Sequence, residues 1–271
     1  MNRPQLMNKL IVLLSICFIN CSFGQTESTL TTAKKNKFQF DFGFVHSRLI
    51  DEGYTASELL IRGTNPKFRL GYGRETENYI FNFLFEASSG KVTSKSGNLP
   101  SELTNIKPTL EYLRKVKQYQ LFGKNNKFFA GVNVSSSNYV LENGPVFDNS
   151  DIFSVHGIYL GLVNQIELNK SQRLQIAYFL PTVVSVNRII DSENDFTNED
   201  YQHPVQMLFG NKSTSYFKIG DFIQLKIGYE KKISRSTSFT ATYSFFYMNS
   251  TFEAPIRMYS NELLVGLKIN W

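Results

Sequence analysis

The chain has 271 residues, with 29 Lys and Arg against 23 Asp and Glu and only two cysteines. Cys17 and Cys21 both fall within residues 1–24, which have the pattern of a removable leader, so the rest has no thiol for a disulfide or a thiolate metal site. Without Arg3 and Lys9 of that leader, 27 basic residues stand against 23 acidic ones. This mild balance is scattered along the chain rather than gathered on one face, which removes nucleic acid from the expected partners.

Arg3 and Lys9 precede an apolar run over 10–19, which is followed by Cys21-Ser22-Phe23-Gly24. That order is a secretory signal, with cleavage expected between Gly24 and Gln25. The run is shorter than the roughly 20 residues a membrane-spanning helix needs. A lipid on Cys21 is the alternative, and Asn20 argues against it because that processing prefers a small residue before the cysteine. The polar Thr, Ser and Lys residues of 25–36 read as a flexible lead-in, and 37–271 as one domain. No later stretch of eighteen apolar residues occurs, so any span of a membrane must be a closed barrel of strands.

From residue 37 onward the chain alternates with period two. Phe38, Phe40, Phe42 and Phe44 share one face, with Gln39, Asp41 and Gly43 on the other. Tyr79, Phe81, Phe83 and Phe85 follow, then Phe128, Ala130, Val132 and Val134, then Ile158, Leu160 and Leu162. Leu174, Ile176, Tyr178 and Leu180 come next, then Ile223, Leu225, Ile227 and Tyr229, then Phe239, Ala241, Tyr243, Phe245 and Tyr247. Four short connections near 74–78, 123–126, 169–172 and 234–237 are rich in turn formers. They alternate with longer ones around 49–66, 89–105, 142–152, 188–215 and 250–257. Nine connections join ten strands, and the expected fold is an all-β, antiparallel up-and-down transmembrane β-barrel. A periplasmic β-sandwich would also alternate, but its strands are usually about five or six residues long. Between 106 and 122 the pattern slips at Leu113 and Arg114, which predicts a bulge or a miscounted strand.

The inward faces carry Asp41, Arg69, Glu86, Glu111, Lys115, Lys226, Glu262 and Lys268 among Asn, Gln, Ser and Thr. In so narrow a barrel, charges of both signs predict a polar, ion-paired interior rather than a pore of one polarity. The connection after 188 holds Asp191, Glu193, Asp195, Glu199 and Asp200. It lacks the Gly and Glu that a calcium-binding EF-hand loop requires, having Phe196 and Gln202 at those positions, and reads as a solvated acidic loop with weak metal candidates in Asp191, Glu193 and Asp195. Ser154 and His156 share the outward parity of Ile158. A hairpin centred near Val146 or Phe147 would bring Asn138 beside His156. A hydroxyl, an imidazole and an orienting amide are what lipid hydrolysis needs.

The last nine residues place Leu263, Val265, Leu267, Ile269 and Trp271 on one face, with the aromatic at the end. This resembles the C-terminal assembly strand of bacterial outer-membrane β-barrel proteins. The resemblance implies recognition of Leu267, Ile269 and Trp271 by the barrel-insertion machinery. The leader ending in Gly24 before Gln25 resembles those of exported Bacteroidota proteins. Ser154, His156 and Asn138 resemble the Ser/His/Asn set of outer-membrane phospholipases, with the family's His-x-Ser order reversed.

The expected protein is integral to the outer membrane, with both termini periplasmic and no cofactor. Its expected role is a non-enzymatic scaffold or subunit of an outer-membrane assembly, in contact with outer-membrane lipids and other outer-membrane proteins. A narrow channel and a lipid-acting hydrolase are the alternatives.

Overall fold

The computed structural model describes residues 35–51, 59–94, 100–121, 123–143, 150–190, 213–215, 222–250 and 256–271. These form β1 (Lys35–Asp51), β2 (Leu59–Glu75), β3 (Tyr79–Ser94), β4 (Pro100–Leu121), β5 (Lys124–Asn143), β6 (Ser150–Asn169), β7 (Gln172–Ile190), β8 (Ser213–Ser215), β9 (Phe222–Lys232), β10 (Thr237–Ser250) and β11 (Ile256–Asn270). Ten long strands pair antiparallel with their sequence neighbours, and β1 pairs with β11 from Lys37↔Asn270 to Asp51↔Ile256, closing the sheet into a barrel. The three-residue β8 lies beside β7 at Val184↔Ser215 to Val186↔Ser213, in line with β9.

Side chains set the short turns. Thr76 Oγ1 accepts from the amides of Asn78 and Tyr79 at 3.2 and 3.1 Å. Asn169 Oδ1 accepts from the Ser171 amide at 2.9 Å, and Ser234 Oγ from the Thr237 amide at 3.1 Å. Hydroxyl and amide side chains replace backbone partners in this way at tight turns, and Gly123 supplies a φ of +70° in the turn before β5. The slip in alternation on β4 is a register shift between Lys115 and Lys117, and Leu113 points into the barrel, fully buried. A second shift lies on the β6–β7 ladder beside Pro181, which has no N–H to give it.

Outside, the aromatic rows face away from the barrel. Phe38, Phe40, Phe42 and Phe44 are 41, 49, 49 and 56% exposed, while Asp41 among them is wholly buried. Similar rows on every long strand make an apolar band that suits lipid hydrocarbon. At the turn end, Trp271 and Asn36 exchange two backbone hydrogen bonds of 3.0 Å, and the Trp271 ring lies 6.4 Å from that of Tyr72.

The strands run further toward the long connections than sequence reading expects, since β1 reaches Asp51 and β2 begins at Leu59. Period two continues there, but its sense inverts. Leu49, Ile61, Val92 and Leu103 face inward and are buried, while Arg48, Arg62, Lys91 and Glu102 face outward. A search for outward apolar rows ends where this inversion begins, so it assigns the last turns of strand to loops.

Two glycines permit closure. A Cβ on Gly266 would stand 2.0 Å from the Phe40 carbonyl oxygen, and one on Gly43 1.9 Å from that of Leu263. Replacing Gly266 with Val is expected to reduce the fraction of refolded protein that shows heat-dependent gel mobility. Gly228→Ala, whose added Cβ meets nothing nearer than 3.8 Å, should leave that fraction unchanged.

Candidate functional site

The lumen is filled at three levels. Near mid-height, Asp41 on β1 accepts from Arg69 Nε on β2 at 2.7 Å and from Thr240 Oγ1 on β10 at 2.7 Å. The reach to β10 crosses β11 at Gly266, the register partner of both Asp41 and Thr240, which has no side chain to block the way. Arg69 Nη2 donates to Thr242 at 2.9 Å, and Arg69 Nη1 lies 3.8 Å from Glu86. Lys67 joins Glu86 at 2.8 Å and Glu262 at 2.7 Å, and Lys226 comes within 4.0 Å of Glu86 from the opposite wall. Buried ions are tolerable only when paired and hydrogen-bonded in this way.

Below this layer, a second network ties the turn end. Lys37 pairs with Glu75 at 3.2 Å, and Arg173 bridges Glu75 and Glu230, the latter at 2.6 Å. Lys268 also bonds Glu230, and Glu111 accepts from Asn82 at 2.6 Å. Between the two networks is a cavity of about 120 Å³, lined in part by Gln39, Asn82, Glu111, Lys226 and Tyr229.

Above the ion-paired layer large apolar side chains dominate the lumen, with Ser47, Ser137, Ser250 and Ser260 buried among them. Tyr139 stacks on Phe153 at 4.4 Å, and Phe222 packs on Tyr159 at 5.0 Å and edge-on to Phe246 at 5.2 Å. Met248, Met258, Ile256, Leu141 and Val155 complete a buried cluster. Sequence reading missed this plug. Its signal was present as apolar residues of inward parity beyond the aromatic rows.

Of the residues singled out for the interior, Asp41, Arg69, Glu86, Glu111, Lys226, Glu262 and Lys268 face the lumen, where Arg173, Lys67 and Glu230 join them, while Lys115 lies at the turn end, 3.7 Å from Glu77. Asp191, Glu193 and Asp195 lie outside the described residues. No cluster of potential metal ligands occurs among the described residues.

The proposed Ser/His/Asn set is arranged differently from expectation. The β5–β6 register pairs Asn138 with Ser154 and Ser136 with His156. Ser154 Oγ donates to Asn138 Oδ1 at 2.8 Å, and Asn138 Nδ2 donates to Ser136 Oγ at 3.2 Å. His156 Nδ1 lies 2.8 Å from Ser136 Oγ. The hairpin is thus one residue pair away from the alignment that would seat Asn138 beside His156. The amide orients hydroxyls rather than the imidazole. The four side chains form a polar row just beyond Val134 and Ile158, at the edge of the apolar band.

Searches with family models and against curated proteins return no match. Among solved structures, the outer membrane protease OmpT of Escherichia coli aligns over 90% of this chain and 99% of its own, with 10% identity and a TM-score of 0.51. The fold is that of a bacterial outer-membrane β-barrel. Neisserial surface protein A aligns over 87% of this chain and 97% of its own, at 10% identity and a TM-score of 0.38. An outer membrane channel of Pseudomonas putida F1 covers 92% of this chain and 100% of its own, at 8% identity and a TM-score of 0.36. Identities this low speak to fold alone.

Truncating Glu86 leaves Lys67 and Arg69 buried with one anion fewer. Breaking a buried pair from one side costs about 3–5 kcal/mol. Glu86→Ala is therefore expected to lower the urea midpoint of vesicle-inserted protein by that equivalent, read from the fluorescence of Trp271, the single tryptophan. Asn138→Ala, on the exterior, should shift it by less than about 1 kcal/mol.

Proposed function

We propose that the protein is an integral outer-membrane barrel that conducts no solute and works through its exterior and its loop end, as a scaffold or subunit of an outer-membrane assembly. The observation that carries this reading is the doubly filled lumen, with an ion-paired layer under an apolar plug. A path for ions would have to break the Asp41–Arg69–Glu86–Lys67 network and then displace Phe222, Phe246 and Met248. Ten strands leave a lumen only slightly wider than eight, which side chains just fill. The inverted rim adds a polar exterior beyond the apolar band, and that surface is available for contacts with other proteins.

In this reading both ends of the barrel domain lie on the periplasmic side, where short turns are usual, and the long connections face outward. Leu267, Ile269 and Trp271 serve as the recognition strand for the insertion machinery. The exterior Ser136–His156 contact is a second, enzymatic reading, in which Ser136 rather than Ser154 would be the hydroxyl next to the base.

Two measurements test the proposal. In planar bilayers the purified barrel is expected to show no stable open state. Reproducible conductance that changes on substitution of Lys226 or Glu86 would establish a pore instead, and phospholipid hydrolysis lost on Ser136→Ala would establish an enzyme. In cells, deleting Trp271 should lower the inserted amount more than deleting residues 25–34, because the last strand closes the barrel. Equal insertion of the two variants would contradict the role given to Trp271.

A further inference from the structure

On the exterior of β1 and β2 the apolar band ends at Phe44 and its register partner Pro66. The next outward pair is His46 and Thr64, whose Nδ1 and Oγ1 lie 2.9 Å apart. Beyond it, Arg48 and Arg62 are directly opposed in register, and both are exposed. Like charges placed opposite each other across two strands destabilise the pair. Inside the barrel Lys37, Lys67, Arg69, Arg173 and Lys268 each have a carboxylate. Neither Arg48 nor Arg62 forms an ion pair among the described residues. With His46 and Leu60 they line a shallow pocket.

A like-charged pair placed at this level makes sense when an anion from outside the chain sits between its members. Guanidinium forks match the oxygens of a phosphate, and two forks facing one gap can hold one phosphate from both sides. The height of the pair specifies the kind of anion. Below it, past His46 and Thr64, are Phe44 and Phe42, whose rings meet edge-on at 6.0 Å, and Phe68 beside Phe85 at 6.3 Å. A ligand with phosphate at Arg48 and Arg62 and hydrocarbon running down these rings would satisfy both surfaces together. Free phosphate would satisfy only the upper one.

We propose that Arg48 and Arg62, flanked by His46 and Thr64, bind the phosphate headgroup of a membrane lipid in the leaflet at the loop end. The proposal rests on the reading of this chain as a membrane-inserted barrel. The site lies on the outer wall, apart from the lumen and from the Ser136–His156 row.

The test uses the full barrel in detergent, with native mass spectrometry titrating bisphosphorylated lipid A, the same lipid with its phosphates removed, and inorganic phosphate. Arg48→Gln with Arg62→Gln is expected to weaken binding of the phosphorylated lipid about thirtyfold, and each single variant about fivefold, from the usual contribution of one basic side chain at a charged membrane surface. Affinity for the dephosphorylated lipid should not change. Inorganic phosphate at millimolar concentration should not compete. Equal affinity of the wild type and the double variant for the phosphorylated lipid would overturn the site, as would equal affinity of the wild type for both lipids. Competition by inorganic phosphate would replace the lipid with a free anion and overturn the proposal as stated. Heat-dependent gel mobility, measured on the same samples, separates these outcomes from failure of the barrel reading, which would show as its absence in the wild type. Should the double Gln variant not fold, Arg48→Lys with Arg62→Lys keeps the charge, loses the fork, and is expected to bind about fivefold more weakly.

Discussion

A sheet edge left open in hydrocarbon exposes rows of N–H and C=O groups, each costing several kcal/mol with no water to satisfy it. The β1–β11 ladder removes that edge, and much of the interior is arranged around it. Gly43 and Gly266 let the two backbones approach where a Cβ would collide. The gap at Gly266 is also what allows the Asp41 carboxylate on the first strand to reach Thr240, two strands away, while its other oxygen holds Arg69. One carboxylate therefore ties β2, β1 and β10 across the seam. The Lys67, Glu86 and Glu262 pairs continue the tie on either side.

The barrel is built for two solvents in succession. Along the lower strands apolar side chains face outward and most inward ones are polar, with Ile80, Leu113, Phe129 and Val163 buried among them, and along the upper parts of β1 to β4 the assignment is exchanged. The exchange occurs at closely matching positions on neighbouring strands, after Phe44 on β1 and after Pro66 going up β2, and on β5 and β6 the outward apolar row gives way to Ser136 and His156. Below it charge pairing, which is directional and sensitive to the loss of one partner, shares the interior with Ile80, Leu113, Phe129 and Val163. Above it the interior is held by packing among Phe, Met, Ile and Val, as in a water-soluble barrel.

The strand number was legible because turn-forming clusters punctuate the chain and because the outward rows are so aromatic. The inward charges were legible from parity alone, since a two-residue period leaves no choice of face once the Phe rows are assigned. Pairing among them was not legible. The approach of Lys226 to Glu86 depends on stagger around the closed ring, which no single strand encodes. The misplaced Asn138 has the same origin, because shifting a hairpin's centre by one residue moves every cross-strand neighbour by two. The upper plug was missed for a different reason. Leu49, Ile61, Val92 and Met258 follow the expected period but have the opposite polarity, so a pattern defined by outward hydrophobicity reads them as loop.

The exchanged upper strands bear on how such a molecule reaches its place. In the proposed orientation, with its long connections outward, it carries Arg48, Arg62, Lys91 and Glu102 through the hydrocarbon before they can be wetted on the far side. Basic side chains facing lipid at the midplane cost about 2–4 kcal/mol each. This toll falls on the crossing and vanishes once the crossing is complete. The same cost opposes departure of the inserted protein as well as its entry. Bilayer thinning or a catalyst of insertion would lower that barrier for both directions, so the lifetime of the protein in its membrane is set in part by residues that, at rest, never touch the membrane's interior.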